Sequence, residues 1–241
     1  MITIKNEVTA LSLQKLRTKT PENVGNYWKG IPHHIFLDII TNAILLKKWE
    51  INDVRIALSK DNQNMSICLK LILPDIRTNN FDFAIGFVTS NARHFSTKFY
   101  FGIIDEDDIG IVLDKIYEGR HTKGFDLSKE IYHILADYKA AVDKVKDKIK
   151  ELVDIKLTYE DFKTIMFKTA KEENIMTWSR IGQVTKLSVS STPFTNAWHL
   201  YKVFCEVAGK SPVFKNPYSL GQMEMMYQFK KILLKLKNKE K

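Results

Sequence analysis

Between His33 and Lys48 the apolar residues Ile35, Phe36, Ile39, Ile40, Ala43, Leu45 and Leu46 recur at intervals of three and four. That spacing draws a wide apolar stripe along one side of a helix and predicts a helix packed on a sheet. Beyond Asp53 the period changes to two. Asp53–Ser59 and Met65–Leu73 are expected strands joined by the polar turn 60–64, a hairpin pattern. In the second of them Met65, Ile67, Leu69, Leu71 and Leu73 alternate with Ser66, Cys68 and Lys70, so one face should be core and the other partly wet. A second pair, Phe83–Thr89 and Phe95–Ile104, flanks the turn 90–94. Phe95, Thr97, Phe99 and Phe101 share one face, and Ser96, Lys98 and Tyr100 the other. Four sequential strands with short turns predict an antiparallel meander.

After the acidic run Asp105–Asp108, the pattern predicts a short helix over Ile109–Tyr117, leading into the basic segment Gly119–Gly124. The most regular element follows. Ile131, Leu135, Tyr138, Val142, Val145, Ile149 and Leu152 are spaced by four and three in turn, an a/d seam on one long amphipathic helix. So narrow a stripe packs against another helix or a second copy of the chain, which makes Leu135, Tyr138, Val142, Val145 and Ile149 the candidate oligomer interface. Thr158 with Asp161 resembles a capping box ahead of Phe162, Ile165 and Met166. Thr192–Pro193 should open a helix closed by Gly209. A final helix from about Ser219 carries Met226, Phe229, Leu233 and Leu236 on one side. It ends in Lys230, Lys231, Lys235, Lys237, Lys239 and Lys241. The fold class is therefore α+β: an antiparallel meander packed with helices, a long amphipathic helix and a helical C-terminal part. The expected organisation is an N-terminal arm over 1–32, an α+β core over 33–127 and a helical region with a Lys-rich tail over 128–241.

Charge adds a partner class to this picture. The 37 Lys and Arg outnumber the 28 Asp and Glu, giving a net charge of +9 and favouring polyanions. The same Lys-, Asn- and Ile-rich usage also follows from an AT-rich genome. The two cysteines, Cys68 and Cys205, lie far apart in sequence with no metal-ligand spacing to a His, as a reducing cytoplasm permits. The N-terminus has no basic segment followed by an apolar core, and no stretch approaches the roughly 18 apolar residues of a membrane span. The expected location is the cytoplasm of a host cell, with no membrane contact.

Catalytic motifs are missing from the sequence. The glycines form neither phosphate-binding pattern, and nucleophile elbows, H-E-x-x-H and paired C-x-x-C are absent. No enzymatic activity and no cofactor are expected. A divalent-metal nuclease would need convergent carboxylates, and the contiguous run 105–108 diverges in direction. His33–His34 opens a helix after Pro32, a surface or capping position. The candidate nucleic-acid contacts are Trp28 and Lys29 in an aromatic, basic loop, Arg93, His94 and Lys98 at the second hairpin, and Arg120, His121 and Lys123 between two glycines. Aromatic rings stack on unpaired bases while ammonium and guanidinium groups follow phosphates.

Three stretches carry a resemblance. They are Gly86–Asn91 with the aromatic strand to Gly102, Arg120–Gly124 leading into the long helix, and Pro193–Glu206 with its Ala197-Trp198-x-x-Tyr201 core. Together they resemble a phage/plasmid-like family catalogued as a domain of unknown function. That resemblance implies a mobile-element setting and brings no catalytic residues with it. In architecture, the helix, antiparallel strands and long helix resemble phage single-strand annealing proteins of the recombination-mediator type. The leading expectation is a homo-oligomeric protein that binds single-stranded DNA, in strand annealing or recombination. The alternative is a phage-encoded interaction protein that binds and inhibits a host or defence protein.

Overall fold

Pro32 fixes the chain at φ −52° just before the first helix, α1 (His33–Leu46), whose opening bond runs from Phe36 N to Pro32 O at 2.9 Å. The computed structural model describes residues 30–58, 63–73, 81–91, 96–120, 125–136, 138–190, 196–209 and 222–237. Helix α1 ends where Lys48 turns to φ 61°. Phe36, Ile40, Ala43 and Ile44 are buried, whereas Ile35, Leu45 and Leu46 face solvent. The buried stripe is turned round the helix from the sequence pattern, taking in His33, Leu37 and Thr41.

Five antiparallel strands follow in sequence order: β1 (Glu50–Leu58), β2 (Asn64–Ile72), β3 (Phe81–Ser90), β4 (Thr97–Asp105) and β5 (Gly110–Gly119). The meander is as expected, with one strand more. Strand β5 replaces the short helix expected over Ile109–Tyr117, and its pairing with β4 explains the difference. Register shifts between Phe99 and Tyr100 and between Phe101 and Gly102 leave Ile116 and Leu113 without partners. Each bulge reverses the alternation of faces, so the period of two disappears from the sequence. The turn between β4 and β5 uses the acidic run. Asp105 accepts bonds from Asp107 N at 3.1 Å and Ile109 N at 2.9 Å, and Asp108 takes φ 62°.

Both faces of the sheet are covered. Helix α1 lies on the side of Phe87 and Phe99, with the Phe36 ring 6.2 Å from each. The opposite side was expected to be partly wet, yet Ser66, Cys68 and Tyr100 are buried there. The C-terminal helix α7 (Gln222–Lys237) occupies it. Met223 sits so close over Gly86 that a Cβ there would meet its sulfur at 2.3 Å. Next to α7 lies α6 (Ala197–Gly209), and the rings of Phe204 and Phe229 stack at 3.8 Å. Helix α6 begins at Ala197, after Asn196 caps it by accepting from His199 N at 2.9 Å. The expected start at Thr192 lies outside the described residues.

The expected long helix is described as α2 (Leu127–Ala136) and α3 (Tyr138–Asp154), on either side of residue 137, which lies outside the described residues. Its seam is not an open interface. Ile131, Leu135, Val142, Val145 and Leu152 are buried within the chain, with α2 against α1, and α3 against α6 and β5. Ile149 is half-buried, and the Tyr138 side chain lies outside the described residues. Next comes α4 (Tyr159–Phe167), opened by the expected capping box: Asp161 N donates to Thr158 Oγ1 at 3.2 Å and Thr158 N to Asp161 at 2.8 Å. A π-helical turn, Lys168–Glu172, extends it, and α5 (Trp178–Ser190) follows. One buried apolar cluster runs from Phe36 to Leu233, joining the sheet to the C-terminal helices. Among the described residues no helix is long and apolar enough to cross a membrane.

Because the seam is core, Val142→Glu should destabilise the fold by roughly 3 kcal/mol or more. Its melting temperature should fall equally at high and low protein concentration. A deficit that vanishes at high concentration would return the seam to an intermolecular contact.

Candidate functional site

Of the expected nucleic-acid contacts, only Lys98 and Arg120 fall among the described residues; Trp28, Lys29, Arg93, His94, His121 and Lys123 lie outside them. Arg120 is exposed just past the end of β5. Lys98 was expected on an open polar face, but α7 covers that face. Its ammonium lies 2.9 Å from Glu224 and 3.8 Å from Glu118, and its side chain is half-buried beside these carboxylates.

Glu224 is the centre of this inner network. Tyr100 donates to it at 2.5 Å and Gln228 at 2.6 Å. Burial works to raise its carboxyl, but the bonds from Tyr100, Lys98 and Gln228 and the Lys98 charge prevail and bring it down to about 2. Glu118 accepts from Ser96 and from Lys115, both at 2.7 Å, and these bonds hold its carboxyl below the usual range. These groups tie α7 to β4 and β5.

A second polar cluster lies along the edge of β5. The Tyr201 hydroxyl donates to the Val112 carbonyl, and the Lys230 ammonium to the Leu113 carbonyl. Lys230 belonged to the expected solvated tail, yet it is only 2% exposed. Its ammonium is 3.8 Å from Asp114, which Lys148 approaches at 3.4 Å. Burial first, and then the Lys148 charge, push the Lys230 amine down to about 8. The Tyr227 ring has the ammoniums of Lys230, Lys115 and Lys231 at 5.0, 5.4 and 5.6 Å from its centre. Cys205 is buried behind this edge, and burial pushes its thiol well up, which makes it a poor nucleophile.

The third feature is on the surface of α4, and the sequence reading passed over it. Tyr159, Lys163, Phe167 and Lys171 follow one another at intervals of four, on the side away from the buried Phe162, Ile165 and Met166. Tyr159 is 60% exposed, Phe167 45% and Trp178, at the start of α5, 58%. Lys163 sits 4.3 Å above the Tyr159 ring and Lys171 5.2 Å above that of Phe167, which lies 6.3 Å from Trp178. The interval was visible in the sequence, but burial alone separates this face from the core stripe beside it. Tyr159, Phe167 and Trp178 are thus large aromatic side chains left exposed on this surface.

The acidic run divides its tasks: Asp105 pairs with Lys202 of α6 at 2.9 Å, and Asp108 with Arg55 of β1. Among the described residues no three His, Cys, Asp or Glu side chains are grouped to hold a metal ion. No family model, curated protein or solved structure matches the chain.

Two pH dependences follow. Lys230 titrates lower in the folded chain than its ordinary 10.5, so its cost to stability, about 3 kcal/mol, is fully present below pH 8 and is relieved as pH rises toward 10.5. Lys230→Met should abolish that rise in the urea midpoint. Glu224 titrates below its ordinary 4.5, so its contribution is present above that pH and is lost as pH falls toward 2. Glu224→Gln should flatten the acid limb of the same curve, and an unchanged limb would refute the network.

Proposed function

We propose that this chain binds single-stranded nucleic acid, with Tyr159, Phe167 and Trp178 as stacking faces and Lys163, Lys168 and Lys171 as phosphate contacts. The observation that carries the reading is the exposed alternation of ring and ammonium along α4 and its π-helical extension. Each unpaired base has a π-face, so such a surface takes a strand with little regard to sequence. Stacking of this kind is worth about 1–3 kcal/mol per base. Tyr159 and Phe167 are eight residues apart, roughly 12 Å along a helix, which spaces the rings for more than one base. Lys163 rests against Glu160 at 2.8 Å and Lys168 against Glu172 at 4.0 Å. Such solvent-exposed pairs contribute little, so a phosphate can take the place of the carboxylate. The net charge of +9 supplies attraction at longer range.

The reading requires no bond to be made or broken, hence no catalytic group or cofactor. It fits strand annealing or recombination in the cytoplasm of a cell carrying a phage or other mobile element. The carboxylates of Glu160 and Glu172, paired with Lys163 and Lys168, favour a second reading, in which the face docks on a host or defence protein, since Trp and Tyr also dominate protein interfaces.

Fluorescence anisotropy with labelled single-stranded DNA, duplex DNA and RNA across a salt series separates the two. Tyr159→Ala with Phe167→Ala should weaken single-strand binding more than tenfold, about 1.4 kcal/mol, with the melting temperature unchanged. Lys163→Glu with Lys171→Glu should also flatten the salt dependence. Single-strand affinity in the aromatic variant within about twofold of the native chain would sink this face as a strand-binding surface.

A further inference from the structure

Where β5, α2 and α3 meet there is a cleft of about 350 Å³. The bulges of β5 help to shape it: Ile116, skipped by the pairing with β4, lines the cleft between Lys115 and Tyr117. Phe101 and Val145 complete an apolar floor. The Tyr117 ring lies 5.2 Å from that of Phe99 and 6.3 Å from that of Phe125, tilted to both, and these contacts fix it as one wall of the cleft. Burial, and then the Glu130 charge, raise its hydroxyl and keep it a neutral donor and acceptor.

The polar lining is divided by sign. Lys144 and Lys148 lie one turn apart on α3, and His133 faces the cleft from α2. Asp114 is neutralised from behind, because the buried Lys230 approaches it as well as Lys148. Lys148 is thus shared with Asp114, and Lys144, which is exposed, is the α3 cation open to an incoming anion, with Glu130 of α2 as a hydrogen-bond acceptor. The volume lies at the small end of the range for ligand sites, roughly 300–1,000 Å³, which suits one small molecule and not a polymer.

From this arrangement we infer that the cleft is a binding site for a phosphomonoester attached to a nucleoside. Lys144 and His133 hold the phosphate, with Lys148 beside them on Asp114, Glu130 accepts from a sugar hydroxyl, and the base lies against Tyr117 and the apolar floor. The chemistry is shared by a free nucleoside monophosphate and by the phosphorylated end of a strand. The site is separate from the Tyr159–Trp178 face, and binding here requires nothing of that face.

Isothermal titration of the full chain with AMP, adenosine and inorganic phosphate tests it, alongside short oligonucleotides ending in a 5′-phosphate or a 5′-hydroxyl. AMP should bind at least tenfold more tightly than adenosine. Lys144→Glu should remove most of that advantage without lowering the melting temperature, since Lys144 is exposed. His133→Ala, also exposed, should reduce it in part, and Phe167→Ala should leave AMP binding unaltered. If the 5′-phosphate strengthens oligonucleotide binding, and Lys144→Glu cancels that gain, the ligand is a strand end. AMP binding with no effect of the oligonucleotide's end group makes it a free nucleotide, and both results uphold the site. Equal binding of AMP and adenosine, no binding of either at millimolar concentration, or undiminished AMP binding in Lys144→Glu would overturn it.

Discussion

The structure depends on how the open edge of β5 is satisfied. An edge strand presents unpaired carbonyls, and the bulges at Leu113 and Ile116 prevent a further strand from continuing the ladder in regular register. The Val112 and Leu113 carbonyls are instead taken by Tyr201 of α6 and Lys230 of α7. A buried carbonyl without a donor is costly, so these two side chains fix where both helices lie. Asp114, the next residue, draws Lys148 of α3 to the same place. In this way one strand edge positions three helices, and the cleft between β5, α2 and α3 is the space left by that docking.

The buried amine is an unusual choice for the task. A neutral donor would serve the Leu113 carbonyl without the cost of a desolvated charge. Lys230 brings positive charge to Asp114 from one side, while Lys148 of α3 approaches the same carboxylate from the cleft. A destabilising residue that shapes the field of a neighbouring cavity is the kind of local conflict found where a fold serves a ligand.

Among the described residues, two groups of cations have different consequences. Lys98, Lys115 and Lys230 are held by carboxylates or carbonyls within the fold and bind α7 to the sheet. Lys163 and Lys171 stand over exposed rings, and Lys163 and Lys168 make ion pairs that solvent weakens. A net charge gives no information on this division. The second group can meet a polyanion without dismantling the protein.

Local physics alone made much of this chain legible. The first helix, both hairpins and the Thr158–Asp161 cap depend on period and turn chemistry within a few residues, and the structure shows them close to where the sequence put them. Elements whose character depends on distant partners were not legible. The bulges of β5 arise from pairing with β4 and erase the alternation that would have identified a strand. The seam from Ile131 to Leu152 shows that a partner exists but not which one, and α1, α6 and β5 fill the place open to a second copy. Lys98 sits on a polar face by parity, yet Gly86 lets Met223 approach so closely that α7 covers that face. The same period of four runs through the core stripe of α4 and through Tyr159, Lys163 and Phe167. A helix turns all its residues with one period, so sequence assigns them to faces, and only packing decides which face meets the core and which is left for a ligand.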